Sequence, residues 1–471
     1  MGYIDELGEL VAKRQQETIS ISDQIWDFAE SRFQEFKSAR LQIDYLKSLG
    51  FAITEGLGGA ETAFVAEAGG GKPIVGFLGE YDALSGLSQE ADADCHKPIQ
   101  EGGDGHGCGH NLLGAGSLAA TVAIKEYMEE KNIPGTVRYY GCPAEENAGG
   151  KAFMVRDGCF DDCDIVLAWH PGSINCINKS GSLANFRVFF TFHGKSAHAA
   201  GSPHLGRSAL DAVELMNVGV NYMREHMIDE ARVHYAVTNS GGTAPNVVQS
   251  EAQVLYAIRA PQVNQVKELY DRVCKIAQGA ALMTETEVEI RQVAAYSNYI
   301  GNDVIGKQIK DHLTESLPLD YTEEELQYAA KFQKVITELD AKNLKARAKR
   351  IAGKDSEKLL AMPIWNFVGP DASGKGSTDV GDVSWVCPTG YCHMATLAAG
   401  TPGHAWQAVA QGKGSIAHKG MLLAAKVLAA TAYDFLTNPE LIQAAREDWL
   451  EKLDGETYPN ALPKDAKPEI W

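Results

Sequence analysis

Short, almost wholly apolar runs, separated by glycine-containing loops and helical stretches, constrain this chain more than any other feature. Pro73–Gly79, Gly135–Gly141 (GTVRYYG) and Asp164–Trp169 (DIVLAW) are such runs, and helical patterns at Leu112–Tyr127 and Lys151–Asp157 fall between them. A strand with one wet face alternates apolar and polar residues, whereas a strand apolar throughout is covered on both faces. Strands of that kind alternating with helices predict an α/β fold, a mostly parallel sheet with helices on both sides.

The pattern changes near Leu183. Phe186–Phe192 alternates as a strand and Leu205–Met227 reads as a long helix. Strands Arg232–Thr238 and Gln253–Ile258, a helix Val263–Met283 and a strand Glu287–Val293 follow. Strand-helix-strand-strand-helix-strand is the split βαβ pattern of a ferredoxin-like α+β domain. It is placed at 183–295, inserted into a larger catalytic domain made of 1–182 and 296–471. At 471 residues the chain exceeds the usual single core, so two domains are expected. Helical periodicity covers Ile4–Leu49, and a charged helical excursion spans about 320–360. WNFV and HMATL look like strands, Ala417–Phe435 like a helix, and Asp454–Trp471 like a tail.

The formal charge of −19 excludes a general phosphate-binding surface, so neither nucleic acid nor an anionic membrane is an expected partner. The first residues, MGYIDELGELVAKRQQ, lack the basic and apolar regions of a signal peptide. The apolar run Met421–Phe435 carries Lys426. Nine scattered cysteines read as reduced thiols, and the expected compartment is the cytoplasm.

Chemistry-bearing residues gather at strand ends. HGCGHNLLGAG sets Cys108 and His110 two residues apart on a glycine-rich loop before a helix. Glu145 and Glu146 follow the strand TVRYYGCP, His170 follows DIVLAW, His404 follows HMATL, and Asp82 follows IVGFLGEY. Open α/β sheets place their ligand crevice at the carboxyl ends of strands. Any one of these residues alone is commonplace; all of them at strand ends is not. Thiolate, imidazole and carboxylate together suit Zn²⁺ or Mn²⁺. Five such ligands are too many for one tetrahedral ion, so two divalent ions sharing a bridge are expected, about 3.5–4 Å apart. One of the adjacent glutamates then coordinates while the other moves a proton from water to the leaving nitrogen. Asp82 is placed to hold an imidazole ligand in its tautomer.

These residues resemble the aminoacylase/carboxypeptidase-type dinuclear metallopeptidases, in the branch that hydrolyses hippurate and indole-acetyl-amino acids. The resemblance covers nearly the whole chain. It implies that Cys108 of Cys108-Gly109-His110 is the shared ligand and that His110, Glu146, His170 and His404 complete the set. It also implies Glu145 as general base, Asp82 in the D-x-D-A-L position, and an inserted lid and dimerisation domain. Two positions depart from the pattern, Glu80 at the first acidic place and Asn111 after His110, and neither counts among the ligands.

The insert carries FHGKSAHAAGSPHLGRSALDA and SGGTAPNVVQSEAQVLYAIRAP. Arg259 ends an apolar strand, where a charge needs either an internal ion pair or an anionic ligand. The resemblance implies that His198, Asn246 and Arg259 hold the substrate carboxylate and oxyanion, with His198 and Asn246 reaching a partner's site. A homodimer is therefore expected, or assembly with a paralogous second subunit. Strings such as GEYDALSGLSQ, SPHLGRSALDAV and STDVGDVSW resemble the aminobenzoyl-glutamate hydrolases within this family. The expected substrate is thus a small N-acyl-amino acid, with aminobenzoyl-glutamate first and Arg207 or Lys195 reading its side-chain carboxylate. The alternatives are a broader dipeptidase or N-acyl-amino-acid hydrolase on the same site, and a non-catalytic partner subunit.

Overall fold

The apolar runs form the middle of an eight-stranded sheet in the computed structural model, which describes residues 2–146, 148–373 and 376–470. Its strands are β1 (Ala52–Glu55), β2 (Phe64–Gly70), β3 (Ile74–Glu80), β4 (Gly135–Cys142), β5 (Ile165–Gly172) and β6 (Cys176–Ser180). The insert contributes β7 (Ala184–His193), β8 (Arg232–Asn239), β9 (Glu251–Ala260) and β10 (Glu287–Tyr296), and the return to the large sheet adds β11 (Ala372–Ser373) and β12 (Thr389–Ala395). The order β1-β2-β4-β3-β5-β12-β6-β11 is parallel through its centre, β4-β3-β5-β12, with antiparallel pairs toward the margins.

Residues alternate between two cores, which is what coverage on both faces requires. Val75, Phe77, Leu167 and Trp169 point into one core with the helices His110–Lys131 and Ser415–Thr437. Leu78, Tyr140, Val166 and Ala168 point into the other with the helices Gly150–Arg156 and Val380–Val386. Each fully buried side chain of this size stabilises the fold by about 1.5–3 kcal/mol. Ser415–Thr437 has the length and hydropathy of a membrane span, but 72% of its apolar window is already buried against protein. Its apolar character serves the core.

The insert forms a separate antiparallel sheet, β10-β7-β9-β8, with the helices Ala209–Met223 and Val263–Thr284 over one face. Phe186, Val188, Phe190, Val254, Tyr256 and Ile258 are buried under those helices. Strand alternation therefore turns Asn185, Arg187 and Arg259 to the opposite face.

Several local expectations change. The helix expected at Leu205–Met227 is a short turn at Pro203–Leu205 followed by Ala209–Met223, because Ser208 caps the latter by accepting from the Asp211 amide at 3.1 Å. WNFV is a buried loop: the Trp365 indole donates to the Leu359 carbonyl at 3.1 Å, and Val368 forms an isolated bridge to Asn175. The strands β1, β2 and β6 were not foreseen. The presumed tail is partly docked, with Leu462 buried and the Tyr458 hydroxyl donating to Asp382 at 2.9 Å.

Candidate metal centre

The Cys108 loop owes its shape to Gly109, which sits at φ 75° just before the helix beginning at His110. A Cβ there would lie 2.9 Å from Pro171 Cβ, so a side chain would push the loop off β5. Across the crevice Ala144 and His404 adopt left-handed backbone conformations, at φ 56° and 52°. Such non-glycine residues cost of order 1–3 kcal/mol each and persist where surrounding structure holds them. Here the His404 amide donates to the Gly107 carbonyl at 3.2 Å and the Ala144 amide to the buried Glu35 carboxyl at 3.2 Å. The loop strain thus aims Glu145, Glu146 and His404 into one place.

The five expected ligands converge as two triads that share Cys108. Ligand atoms of Cys108, His110 and His170 lie within 4.8 Å of one another, and so do those of Cys108, Glu146 and His404. Cys108 Sγ is 3.4 Å from Nε2 of both His170 and His404, and His404 Nε2 is 3.5 Å from Glu146 Oε2. Tautomers are set from behind. His110 Nδ1 contacts Asp82 Oδ1 at 2.9 Å and His170 Nδ1 contacts the Pro171 carbonyl at 2.7 Å, which leaves both Nε2 atoms facing the centre. The other Asp82 oxygen accepts from the Glu146 amide at 2.9 Å, so one carboxylate positions two ligands.

Buried, unsatisfied polar atoms fit this donor set to cations. His110 Nε2 and Glu146 Oε1 are both buried without a hydrogen-bond partner. Glu80 Oε2 lies 3.2 Å from His110 Nε2, close enough for ion pairing but outside hydrogen-bond geometry. Leaving such atoms unsatisfied costs free energy that a coordinated ion would recover. Burial holds the Cys108 thiol well above its ordinary value, with Glu146 adding to the effect, so coordination would displace a proton. Burial pushes His170 down to about 4, and the neutral ring is the form that binds metal. For His110 burial opposes the charge, but Asp82 and Glu80 outweigh it and raise the ring well above its usual value.

Glu145 is buried beside Glu80 and His110, its carboxyl oxygen within 4.8 Å of their ligand atoms. Burial, and then the charges of Glu80 and Glu146, hold its carboxyl well above the usual range. A carboxyl raised in this way is suited to taking up and passing on a proton near neutral pH. The Tyr296 hydroxyl from the insert donates to the Glu145 carbonyl at 3.2 Å and ties the second sheet to this loop.

Glu80 corrects its expected place outside the ligand zone: with His110 and Glu145 it forms a third close group. Its other oxygen accepts from Lys151 Nζ at 2.5 Å, and Lys151 also donates to Asp379 at 2.6 Å. Lys151 is fully buried; desolvation works against its charge, but Asp379 and Glu80 outweigh it and raise it well above the usual lysine value. Asn111, the second departure, serves the core by donating to Ser22 and the Gly412 carbonyl, each at 3.0 Å. Sequence reasoning missed Lys151, Asp379 and Glu35. The one local hint was a lysine opening the otherwise apolar helix KAFMV.

A cavity of about 350 Å³ opens from the two triads toward the insert, with Arg259, Arg187, Asn185, Ser377 and Tyr391 among its walls. Arg259 is therefore where the sequence places it. His198 and Asn246 sit together, joined by the Ala199 amide donating to the Asn246 carbonyl at 3.0 Å, but they are exposed and do not line this cavity. Arg207 pairs with Glu285 at 2.8 Å, and neither it nor Lys195 lines the cavity. The cationic residue that joins Arg259 there is Arg187.

Comparison with known proteins gives the same picture. Residues 76–379 match the model of peptidase family M20/M25/M40. The chain is 46% identical to a p-aminobenzoyl-glutamate hydrolase chain of Escherichia coli K12, one of the two kinds of subunit known by that name there, over 99% of this chain and 98% of that protein. It is 30% identical to the human Xaa-Arg dipeptidase over 82% of this chain and 75% of that one. In fold it is similar to a dinuclear metal-binding peptidase of family M20 from Bacillus subtilis, at a TM-score of 0.55 and 14% identity, over 90% of this chain and 99% of that one. The family resemblance expected from the metal loop, the glutamate pair and the later histidines is borne out: the chain belongs to peptidase family M20/M25/M40.

Proposed function

We propose that this protein is a metal-dependent amidohydrolase that cleaves the amide bond of p-aminobenzoyl-glutamate or a closely similar aroyl-amino acid. The observation that carries the proposal is the pair of ligand triads meeting at Cys108, with Glu145 beside them and Arg259 in the wall of the same cavity. The full-length similarity to an aminobenzoyl-glutamate hydrolase supports the choice of acyl group.

Cys108, His110 and His170 would hold one divalent ion, and Cys108, Glu146 and His404 a second, with Zn²⁺ or Mn²⁺ suited to these donors. Bound there, the pair supplies Lewis-acid polarisation of the amide carbonyl and acidifies the attacking water. Glu145 takes one proton from that water as its oxygen bonds to the carbonyl carbon. It returns the proton to the nitrogen as the carbon–nitrogen bond breaks, which yields an aroyl acid and a free amino acid. Asp82 keeps His110 with its Nε2 lone pair inward, and Arg259 takes a carboxylate of the amino acid.

His198 and Asn246, exposed on the insert, are assigned to the site of a neighbouring protomer, either a copy of this chain or a paralogous partner. The presence of Glu145 and of every ligand argues against a purely non-catalytic role.

The test is kcat/KM for p-aminobenzoyl-glutamate against hippurate, acetyl-amino acids and simple dipeptides, on Zn²⁺- or Mn²⁺-loaded protein. The expected margin exceeds the roughly 10–200-fold discrimination that a single methylene provides. Dipeptides or acetyl-amino acids as the better substrates would leave the chemistry standing and overturn the substrate.

A further inference from the structure

The wall of the cavity opposite the metal ligands carries two guanidinium groups, of which the family pattern accounts for one. Arg187 lies on β7 and Arg259 on the adjacent β9. In the antiparallel register Asn185 faces Arg259 and Arg187 faces Ala257, so the two arginines are diagonal neighbours on one face. Diagonal residues on paired strands lie about 7–8 Å apart, within reach of one another's long side chains. On its two flanks Arg187 meets only alanines, Ala257 on β9 and Ala294 on β10, which leaves room for its side chain to lie across the sheet. Its Nη2 donates to the Glu146 carbonyl at 3.3 Å, which fixes the guanidinium beside the loop that holds the glutamate pair.

Two like charges side by side at a partly buried wall are unfavourable unless an anion joins them. The charged form of Arg259 is weakened first by burial and then by the positive charge of Arg187, and its Nε is buried without a hydrogen-bond partner. The −19 charge of the whole chain gives anions no general attraction, so the pair has to act locally. Asn185, which lies between them in the register, adds a buried side-chain oxygen with no partner, and Ser377 a buried hydroxyl with none. A monocarboxylate would satisfy one guanidinium. A short dicarboxylate would satisfy both.

We infer that Arg187 is a specificity-determining residue that binds the side-chain carboxylate of the leaving amino acid, and that with Arg259 it selects conjugates of dicarboxylic amino acids. The inference rests on the proposed amide-hydrolase function and deepens it. Arg259 takes the α-carboxylate and Arg187 the second one. Replacing that second carboxylate by an amide then puts an NH₂ donor against a cation that has only donors of its own.

The experiment compares kcat and KM for p-aminobenzoyl-glutamate and p-aminobenzoyl-glutamine in metal-loaded wild-type, Arg187→Met, Arg187→Lys and Arg259→Met proteins, each checked for an intact fold by circular dichroism. Wild type is expected to prefer the glutamate conjugate. In Arg187→Met that preference ratio should fall roughly 10- to 100-fold, the scale of a lost charged hydrogen bond, and the loss should sit mainly in KM. Arg187→Lys should keep part of the preference, because it keeps the charge without the planar fork. Arg259→Met should weaken both substrates by similar factors. If Arg187→Met or, should that variant not fold, Arg187→Lys keeps the wild-type ratio while both substrates slow equally, Arg187 is not the reader of the side chain. Wild type that hydrolyses both conjugates without preference also overturns this inference but leaves the hydrolase function intact. Metal-loaded wild type that hydrolyses neither overturns the proposed function itself.

Discussion

Glu145→Gln should keep its metal and lose about 10²–10⁴ of kcat, because an amide of the same shape cannot carry a proton from water to the leaving nitrogen. The neighbouring change Glu146→Gln should behave differently and weaken the metal, since Glu146 Oε2 lies 3.5 Å from His404 Nε2 in the triad with Cys108. Metal content and kcat measured on both variants separate the two roles. Near-normal turnover in Glu145→Gln at full metal occupancy would mean that the roles are misassigned. The same variant also tests assembly. Mixing inactive Glu145→Gln with an inactive His198→Ala protein should restore part of the activity, because one hybrid site then carries both an intact Glu145 and an intact His198. Proven exchange of protomers without recovery would show that each site is built from one chain.

Lys151→Met should have the largest effect on stability. Lys151 has no exposed side-chain surface, and it answers two carboxylates as deeply buried, Glu80 and Asp379. Its backbone amide adds a 2.8 Å hydrogen bond to Asp379. Removing one partner of a buried ionic group leaves the others uncompensated and costs about 3–5 kcal/mol. Methionine keeps the aliphatic stem, so most of the loss is electrostatic rather than a cavity effect. Urea unfolding of wild type and variant measures it. A loss under about 1 kcal/mol, the scale of an exposed pair, would show that the buried network contributes little.

The site was legible to the extent that its residues stand at strand ends. Cys108, His110, Glu145, Glu146 and His170 follow local patterns, and the parallel centre of the sheet brings those ends together. Arg259 was legible for another reason, since a charge at the end of an apolar strand needs a partner. Lys151 was not legible. Its partners lie 71 and 228 residues away in the chain, and no periodicity encodes such a distance. Glu80 was visible but misjudged, because its importance comes from that lysine and from the packing of His110. Arg187 sits in FRVFFTF, where alternation alone made it one more outward polar residue. Only the placement of the insert over the crevice shows what it faces. In the fold, β1 was missed because it is four residues long and lies at the margin of the sheet. WNFV was misread because burial of Trp365 in a loop gives the same apolar signal as a strand.

The claim on which the rest depends is that Cys108 joins two metal sites, and elemental analysis tests it directly. Wild type loaded with Zn²⁺ or Mn²⁺ and freed of loose ions should hold two divalent ions per chain and hydrolyse p-aminobenzoyl-glutamate. Cys108→Ala removes a member of both triads at once. It should hold less than one ion per chain with the fold intact, and activity should fall with the metal. Folded wild type that binds no ion after loading, or Cys108→Ala that still holds two, would contradict the shared centre.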